Sequence, residues 1–103
     1  MHEWTWADDI IVLFVKRHGC SRLGAASERE VARLLGIPWA SFAKRMGNFE
    51  YQETDGRKGL SQCARQTVDV WCEYRERDQR TFLRHLDDAR HHFGRAVRCS
   101  AQD

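Results

Sequence analysis

Residues 29–48 carry side chains whose chemistry suits contact with a nucleic acid. Arginine and lysine pair with phosphates or guanine edges, asparagine reads adenine, and serine bonds phosphate. The candidates are Arg29, Arg33, Trp39, Ser41, Lys44, Arg45 and Asn48. If Phe42 and Met46 face a core, a helical period puts the last five candidates on the opposite face. We therefore expect the 38–48 helix to dock in the major groove of double-stranded DNA, either recognising a sequence or binding duplexes generally, while the two arginines before it contact the backbone.

Positive charge is concentrated around these candidates. The whole chain has a net charge of +2, but the segment from Lys16 to Arg45 holds seven lysines or arginines against two acids, a balance of +5. Such a local excess is typical of a surface that faces phosphates. A solvated arginine-rich face is the alternative explanation of the charge. For Trp39, packing under a turn, stacking on a sugar or thymine methyl, and contact with a second copy all stay open.

Two short helices joined by a tight turn would position the candidate side chains. Ser27 followed by Glu30 is a capping-box pattern, and Gly36 can end the first helix in a left-handed conformation. Pro38 suits the first turn of the second helix. The apolar contacts of the turn are expected from three residues: the small Ala32, the aliphatic Ile37 and the aromatic Phe42. Residues 28–48 are therefore predicted to form a helix-turn-helix, and a hairpin used only for packing is the alternative.

Several short patterns along the chain match those of a known family. They are Trp4-Thr5 with Asp8, Ala32 with Leu35-Gly36, Ser41-Phe42 with Lys44, Met46 and Asn48-Phe49, Gly59-Leu60-Ser61, and Val70-Trp71 with Glu73-Tyr74. Together they resemble the N-terminal helical domain ahead of HNH nuclease modules in bacterial restriction-like proteins, and the Trp-Thr opening is similar to Myb-type domains. The resemblance implies DNA recognition by the 38–48 helix, with Lys44 and Asn48 at matching positions. No HNH module follows in this sequence, so nuclease activity is not implied.

The periodicity of the whole chain predicts one small all-α domain over residues 1–98, with a frayed tail over 99–103. At 103 residues and 42% apolar composition, the chain suffices for one core. A first helix is expected after Thr5, an N-cap with Asp8 three residues later, and it should end near Gly19.

The second half of the chain is expected to hold a loop and then one or two helices. Residues 48–59 are polar and contain glycines, which indicates a loop that could include a wing. From an N-cap at Ser61, residues 62–97 keep a helical period. A break between Tyr74 and Thr81 is favoured because no apolar residue occurs there and one helix would be unusually long.

An apolar stripe within residues 62–97 supports an alternative function. Its members are Phe82, Leu86, Ala89 and Phe93. The stripe could fold back as core of the monomer, which is the favoured interpretation, or pair two copies into a homodimer. It could also make the protein an adaptor or an inhibitor of a host enzyme, acting through protein contacts instead of DNA.

Metal binding and catalysis find little support in the sequence. Histidines and one cysteine gather near the end of the chain, at His85, His91, His92 and Cys99. No closely spaced cysteine pair accompanies them, so solvated or partner-facing histidines are favoured over a zinc site. No phosphate-binding glycine loop, nucleophile elbow or HExxH motif is present. We therefore expect a non-enzyme without a cofactor.

The expected location is the cytoplasm. The longest apolar run, Ile10–Val15, is too short to span a bilayer or to serve as a secretory signal, so no membrane association is expected. The four cysteines are then reduced thiols. Taken with the predicted helix-turn-helix, these features indicate a small transcriptional regulator of bacterial, phage or mobile-element origin.

Overall fold

The computed structural model describes residues 2–75 and 79–101 of the chain. These residues form five α-helices and no strand: α1 Trp6–His18, α2 Glu28–Leu35, α3 Trp39–Glu53, α4 Arg65–Tyr74 and α5 Gln79–Ala101, with a 3-10 turn at Ser21–Leu23. The predicted all-α class is confirmed. Among these helices, none has both the length and the apolarity that a membrane crossing requires.

Helix α1 is the central element of the fold. It packs against α3, α4 and α5, and its residues from Ile10 to Val15 are all buried. The predicted cap is present, since the Thr5 hydroxyl accepts from the Asp8 backbone N–H at 3.1 Å. In return the Asp8 carboxylate accepts from the Thr5 N–H at 3.0 Å. The helix ends at Gly19, as predicted, so the segment that carries the core is delimited at both ends by local sequence signals.

The predicted helix-turn-helix is formed by α2 and α3. The Ser27 hydroxyl accepts from the Glu30 N–H at 3.1 Å, while the Glu30 carboxylate accepts from the N–H of Ala26 instead of that of Ser27. Gly36 ends α2 with a φ of 73°, in the left-handed region where a glycine is favoured. Ile37 is buried beside it, and Pro38 precedes the first residue of α3. The turn therefore forms as its sequence predicts.

Helix α3 continues past the point where a loop was predicted. The loop begins only at Thr54, because Phe49 extends the buried side of the helix and the residues after it favour helical structure. No wing forms, since residues 48–64 contain no strand. The polar residues 50–53, predicted as part of the loop, form the end of the helix and are partly buried.

The second half of the chain forms two helices, as favoured. Helix α4 ends at Tyr74 and α5 begins at Gln79. The predicted N-cap at Ser61 is wrong, since α4 begins after Ala64. The apolar stripe of α5 packs into the core of the monomer, mainly against α1. Helix α5 also extends to Ala101, beyond the point at which a frayed tail was expected.

Candidate nucleic-acid interface

Three cations project from the helix-turn-helix into solvent. Arg29 and Arg33 are exposed on α2, and Lys44 is exposed on α3. Ser41 is partly exposed near the start of α3. No carboxylate in the described part of the chain forms an ion pair with any of the three cations. They therefore form a set of uncompensated positive charges, which we call the α2–α3 surface.

Trp39 holds one of these cations next to the start of α3. The Arg29 guanidinium lies 4.6 Å from the centroid of the Trp39 ring, within the range of a cation–π contact. The Trp39 ring stacks in turn on Phe42, with centroids 5.8 Å apart and 20° between the planes. Because Phe42 is fully buried, Arg29 contacts the core indirectly, through the Trp39 ring. Trp39 therefore packs beside the turn, while its stacking on DNA and its contact with a second copy stay predictions.

Arg45 faces the interior, so the prediction that it lies on the exposed side of α3 is wrong. Its guanidinium makes two hydrogen bonds to the Asp9 carboxylate, of 2.7 and 2.9 Å, and Asp9 is completely buried. The guanidinium also lies 4.3 Å from the centroid of the Trp4 ring. Residue 45 follows the buried Phe42 by three positions, which is only about 60° around a helix. A charged residue at such a position turns inward when a buried partner exists.

The carboxylate of Asp9 joins three helices. Besides Arg45 of α3, it accepts a hydrogen bond of 2.7 Å from the Gln66 amide and one of 3.4 Å from the Thr67 hydroxyl, both on α4. This polar cluster of Asp9, Arg45, Gln66 and Thr67 satisfies a charge that would otherwise be costly to bury. In the sequence, Asp9 looks like a carboxylate of the first helical turn, so nothing local to it reveals the cluster.

Asn48 also faces inward and serves the loop that follows α3. The side chain is 5% exposed, and its Nδ2 donates to the carbonyl oxygens of Leu60 and Gln62 at 3.0 and 3.1 Å. Leu60 lies over Gly47, and Gly59 has a φ of 87° with no room for a Cβ beside the Gly47 carbonyl. The predicted exposure of Asn48 is therefore wrong. Its amide anchors the loop to the helix.

We predict that Asn48→Ala destabilises the protein by about 1–3 kcal/mol, since the buried Asn48 amide loses its two hydrogen bonds to the carbonyls of the loop. Urea unfolding followed by circular dichroism measures the change. The matched control is Lys44→Ala, on the exposed side of the same helix, which should change stability by less than about 0.5 kcal/mol. Equal stability of wild type and Asn48→Ala would mean that the loop holds its position without the amide.

Within the part of the chain that the structure describes, ion pairs and hydrogen bonds engage three of the seven cations between Lys16 and Arg45. Lys16 lies 3.9 Å from the Glu53 carboxylate, Arg17 donates to the carbonyls of Tyr74 and Arg75, and Arg45 pairs with Asp9. Arg17 in this way covers the end of α4. The positive charge available to an external partner is thus smaller than the net charge of +5 counted from the sequence between Lys16 and Arg45. On the helix-turn-helix, this charge is confined to the α2–α3 surface.

Another buried polar group, His85, lies in the core, so the prediction of a solvated histidine is wrong there. The ring is 1% exposed and packs on Phe14 and Tyr74, with centroids 5.1 and 4.7 Å away. Burial, followed by the nearby charge of His18, lowers the pKa of His85 to about 4. Within the described ranges, its Nε2 has no hydrogen-bond partner. The imidazole is therefore neutral near pH 7.

The surroundings of His85 do not assemble a metal site from described residues. No group of three or more histidine, cysteine, aspartate or glutamate side chains converges in the part of the chain that the structure describes. His91 is exposed and His92 is half-buried, and their rings contact each other at 5.5 Å. Tyr74 donates a 2.7 Å hydrogen bond to Asp88, and burial together with this bond raises the pKa of Tyr74 above its ordinary value. The side chain of Cys99 lies outside the described residues.

Comparisons with known proteins give no match to this chain. No model of a protein family matches the sequence. No curated protein and no solved structure matches it significantly. The resemblance to the domain ahead of HNH modules therefore stays a prediction from short patterns, and the function has to be argued from the geometry above.

Proposed function

We propose that this protein binds double-stranded DNA through the α2–α3 surface. The observation that carries the proposal is the set of three exposed, uncompensated cations, Arg29, Arg33 and Lys44, on two helices joined by a tight turn. Phosphate contacts supply most of the affinity of a protein for a duplex, and they require cations that no internal carboxylate neutralises. The first turn of α3 contains no acidic residue, which also favours the approach of a phosphate.

Binding with little sequence preference is favoured over recognition of one site. Arg45 and Asn48, two side chains suited to reading bases, are held in internal hydrogen bonds. Lys44 and Ser41 remain on α3 to reach a base edge, beside the small residues Ala40 and Ala43. Small side chains allow a close approach to the duplex but carry little information about its sequence. We accordingly propose a general duplex-binding protein, with a regulatory role in the cytoplasm of a bacterial or phage-infected cell as its setting.

The alternative, a protein-interaction module or homodimer formed through residues 62–97, loses its main support. The stripe on which it depends is packed against α1 inside the same chain. A partner would cover the whole stripe only if α5 left the core, although the edge of Phe93 lines a groove at the surface. The α2–α3 surface needs no such rearrangement, because its cations already face solvent.

Fluorescence anisotropy of a labelled random-sequence duplex, measured across salt concentrations, tests the proposal. We expect binding at low salt that weakens steeply as salt increases. Lys44→Ala and Arg33→Ala should each weaken binding and reduce the salt slope by about 1. Arg95→Ala, which removes an exposed arginine from α5, is the matched control and should bind like wild type.

Two outcomes would contradict this function. Binding that is absent at low salt or insensitive to salt would exclude a phosphate-contacting surface. Equal affinity of wild type, Lys44→Ala and Arg33→Ala for the duplex would mean that the interface lies outside the helix-turn-helix. Selection of bound duplexes from a random pool separates general binding from site recognition, since a general binder enriches no common sequence.

A further inference from the structure

A groove with an apolar floor and a basic rim lies between the 3-10 turn and the C-terminal part of α5. It measures about 500 Å³. Leu23, Phe93 and Val97 line its floor. Three arginines line its rim, namely Arg22, Arg90 and Arg98, and no acidic residue is among the lining side chains. The groove therefore combines an apolar surface with a local charge of +3.

The arginines of the rim are available to an external anion. All three are exposed, and no carboxylate pairs with any of them within residues 2–75 and 79–101. Arg22 lies 5.7 Å from the Phe82 ring, a contact that keeps its charge unneutralised. Arg90 and Arg98 are eight positions apart on one helix, so they lie on the same side about two turns from each other. Charges of one sign beside a low-dielectric surface attract the opposite charge.

Gly94 keeps the middle of the groove open. It lies within α5, where glycine is an unfavourable residue, and a Cβ built on it would meet nothing within 4 Å. Packing therefore does not require glycine at this position, and a larger side chain would project into open space. Because Gly94 is among the residues that line the groove, its lack of a side chain exposes more of the apolar floor.

We propose that this groove binds an acidic peptide segment that carries apolar side chains. Such a segment would place its apolar residues on Phe93 and Val97 while its carboxylates pair with the arginine rim, a mode typical of an amphipathic helix in a groove. A DNA backbone fits less well, because its uniformly polar surface offers nothing to cover the floor. The proposal is independent of the α2–α3 surface and adds a protein partner to a duplex-binding domain.

Anisotropy of a fluorescein-labelled peptide rich in aspartate, glutamate and leucine tests the groove on the full chain. We expect saturable binding that weakens with salt. Binding should be lost when the acidic residues of the peptide are replaced by asparagine and glutamine, and also when its leucines are replaced by serine. The double variant Arg90→Glu and Arg98→Glu should weaken binding by about tenfold or more, since like charges then face each other.

Matched variants separate a specific groove from general attraction. Arg95→Glu reverses an exposed charge on the same helix outside the groove and should leave binding unchanged. Gly94→Trp should block the groove, while Gly94→Ala, which adds only a Cβ in open space, should bind like wild type. Circular dichroism checks that each variant is folded.

Three results would overturn the proposal. The first is no change in peptide anisotropy with wild-type protein. The second is an equal loss of peptide affinity in Arg95→Glu and in the double variant Arg90→Glu and Arg98→Glu. That result would indicate general electrostatic attraction to the protein and no specific binding site. The third is displacement of the bound peptide by a random-sequence duplex, both from wild type and from Lys44→Ala. Because Lys44 lies outside the groove, that result would mean that the groove binds nucleic acid.

Discussion

Replacing Arg45 with alanine is expected to lower the free energy of unfolding by about 3–5 kcal/mol. The guanidinium forms a two-bond ion pair with Asp9, whose side chain is completely inaccessible to solvent. Without it, the side-chain donors that remain to the buried carboxylate among the described residues are the Gln66 amide and the Thr67 hydroxyl. The loss therefore reflects an uncompensated buried charge as well as the lost hydrogen bonds. Urea unfolding followed by circular dichroism measures it.

Two further variants define the origin of this loss. Arg33→Ala removes an exposed arginine of α2 and should change stability by less than about 0.5 kcal/mol. The double variant Asp9→Leu and Arg45→Met should recover much of the stability, because an apolar pair leaves no unpaired charge. A cost of less than about 1 kcal/mol for Arg45→Ala would show that water reaches Asp9 and that the pair contributes as little as a surface salt bridge.

Acidification is expected to destabilise the protein through His85, with a loss of about 3 kcal/mol between pH 6.5 and pH 4. The pKa of His85 in the folded protein, about 4, lies below the ordinary histidine value of 6.5. The unfolded chain therefore takes up a proton first as the pH falls. The contribution of the neutral imidazole is complete above pH 6.5 and disappears as the pH approaches 4.

His85→Phe isolates this contribution from the titration of carboxylates. Carboxylates titrate in both proteins, so the free energy of unfolding of wild type minus that of the variant should decrease as the pH falls from 6.5. His91→Gln, at an exposed position, should keep the wild-type pH dependence. The proton resonances of the His85 ring give a direct measurement. A titration midpoint near 6.5 in the folded protein would mean that solvent reaches the ring.

The sequence predicted those parts of the fold that local signals determine. Thr5 with Asp8, Ser27 and Gly36 act through backbone bonds within a few residues of themselves, and each delimits a helix as expected. The helix-turn-helix formed for the same reason. The end of α3 was misplaced, because polar residues after Phe49 favour a loop by composition and a helix by propensity.

The orientation of polar residues in α3 could not be predicted from periodicity. A helical period gives the angle between two side chains, but it does not reveal whether a polar side chain near the edge of the core finds a buried partner. Arg45 pairs with a carboxylate on another helix, and Asn48 bonds carbonyls of a loop that had no predicted course. The burial of His85 was missed likewise, because the aromatic rings that enclose it, Phe14 and Tyr74, belong to other helices.

The pairing of Asp9 with Arg45 has a consequence for how this fold can diverge in evolution. The two residues are 36 positions apart and belong to different helices. Losing either one leaves a buried charge, so substitutions at these positions are tolerated mainly when both change together. Homologues should therefore carry an acid and a base at this spacing, or two apolar residues. Such covariation could identify distant relatives whose other residues have diverged.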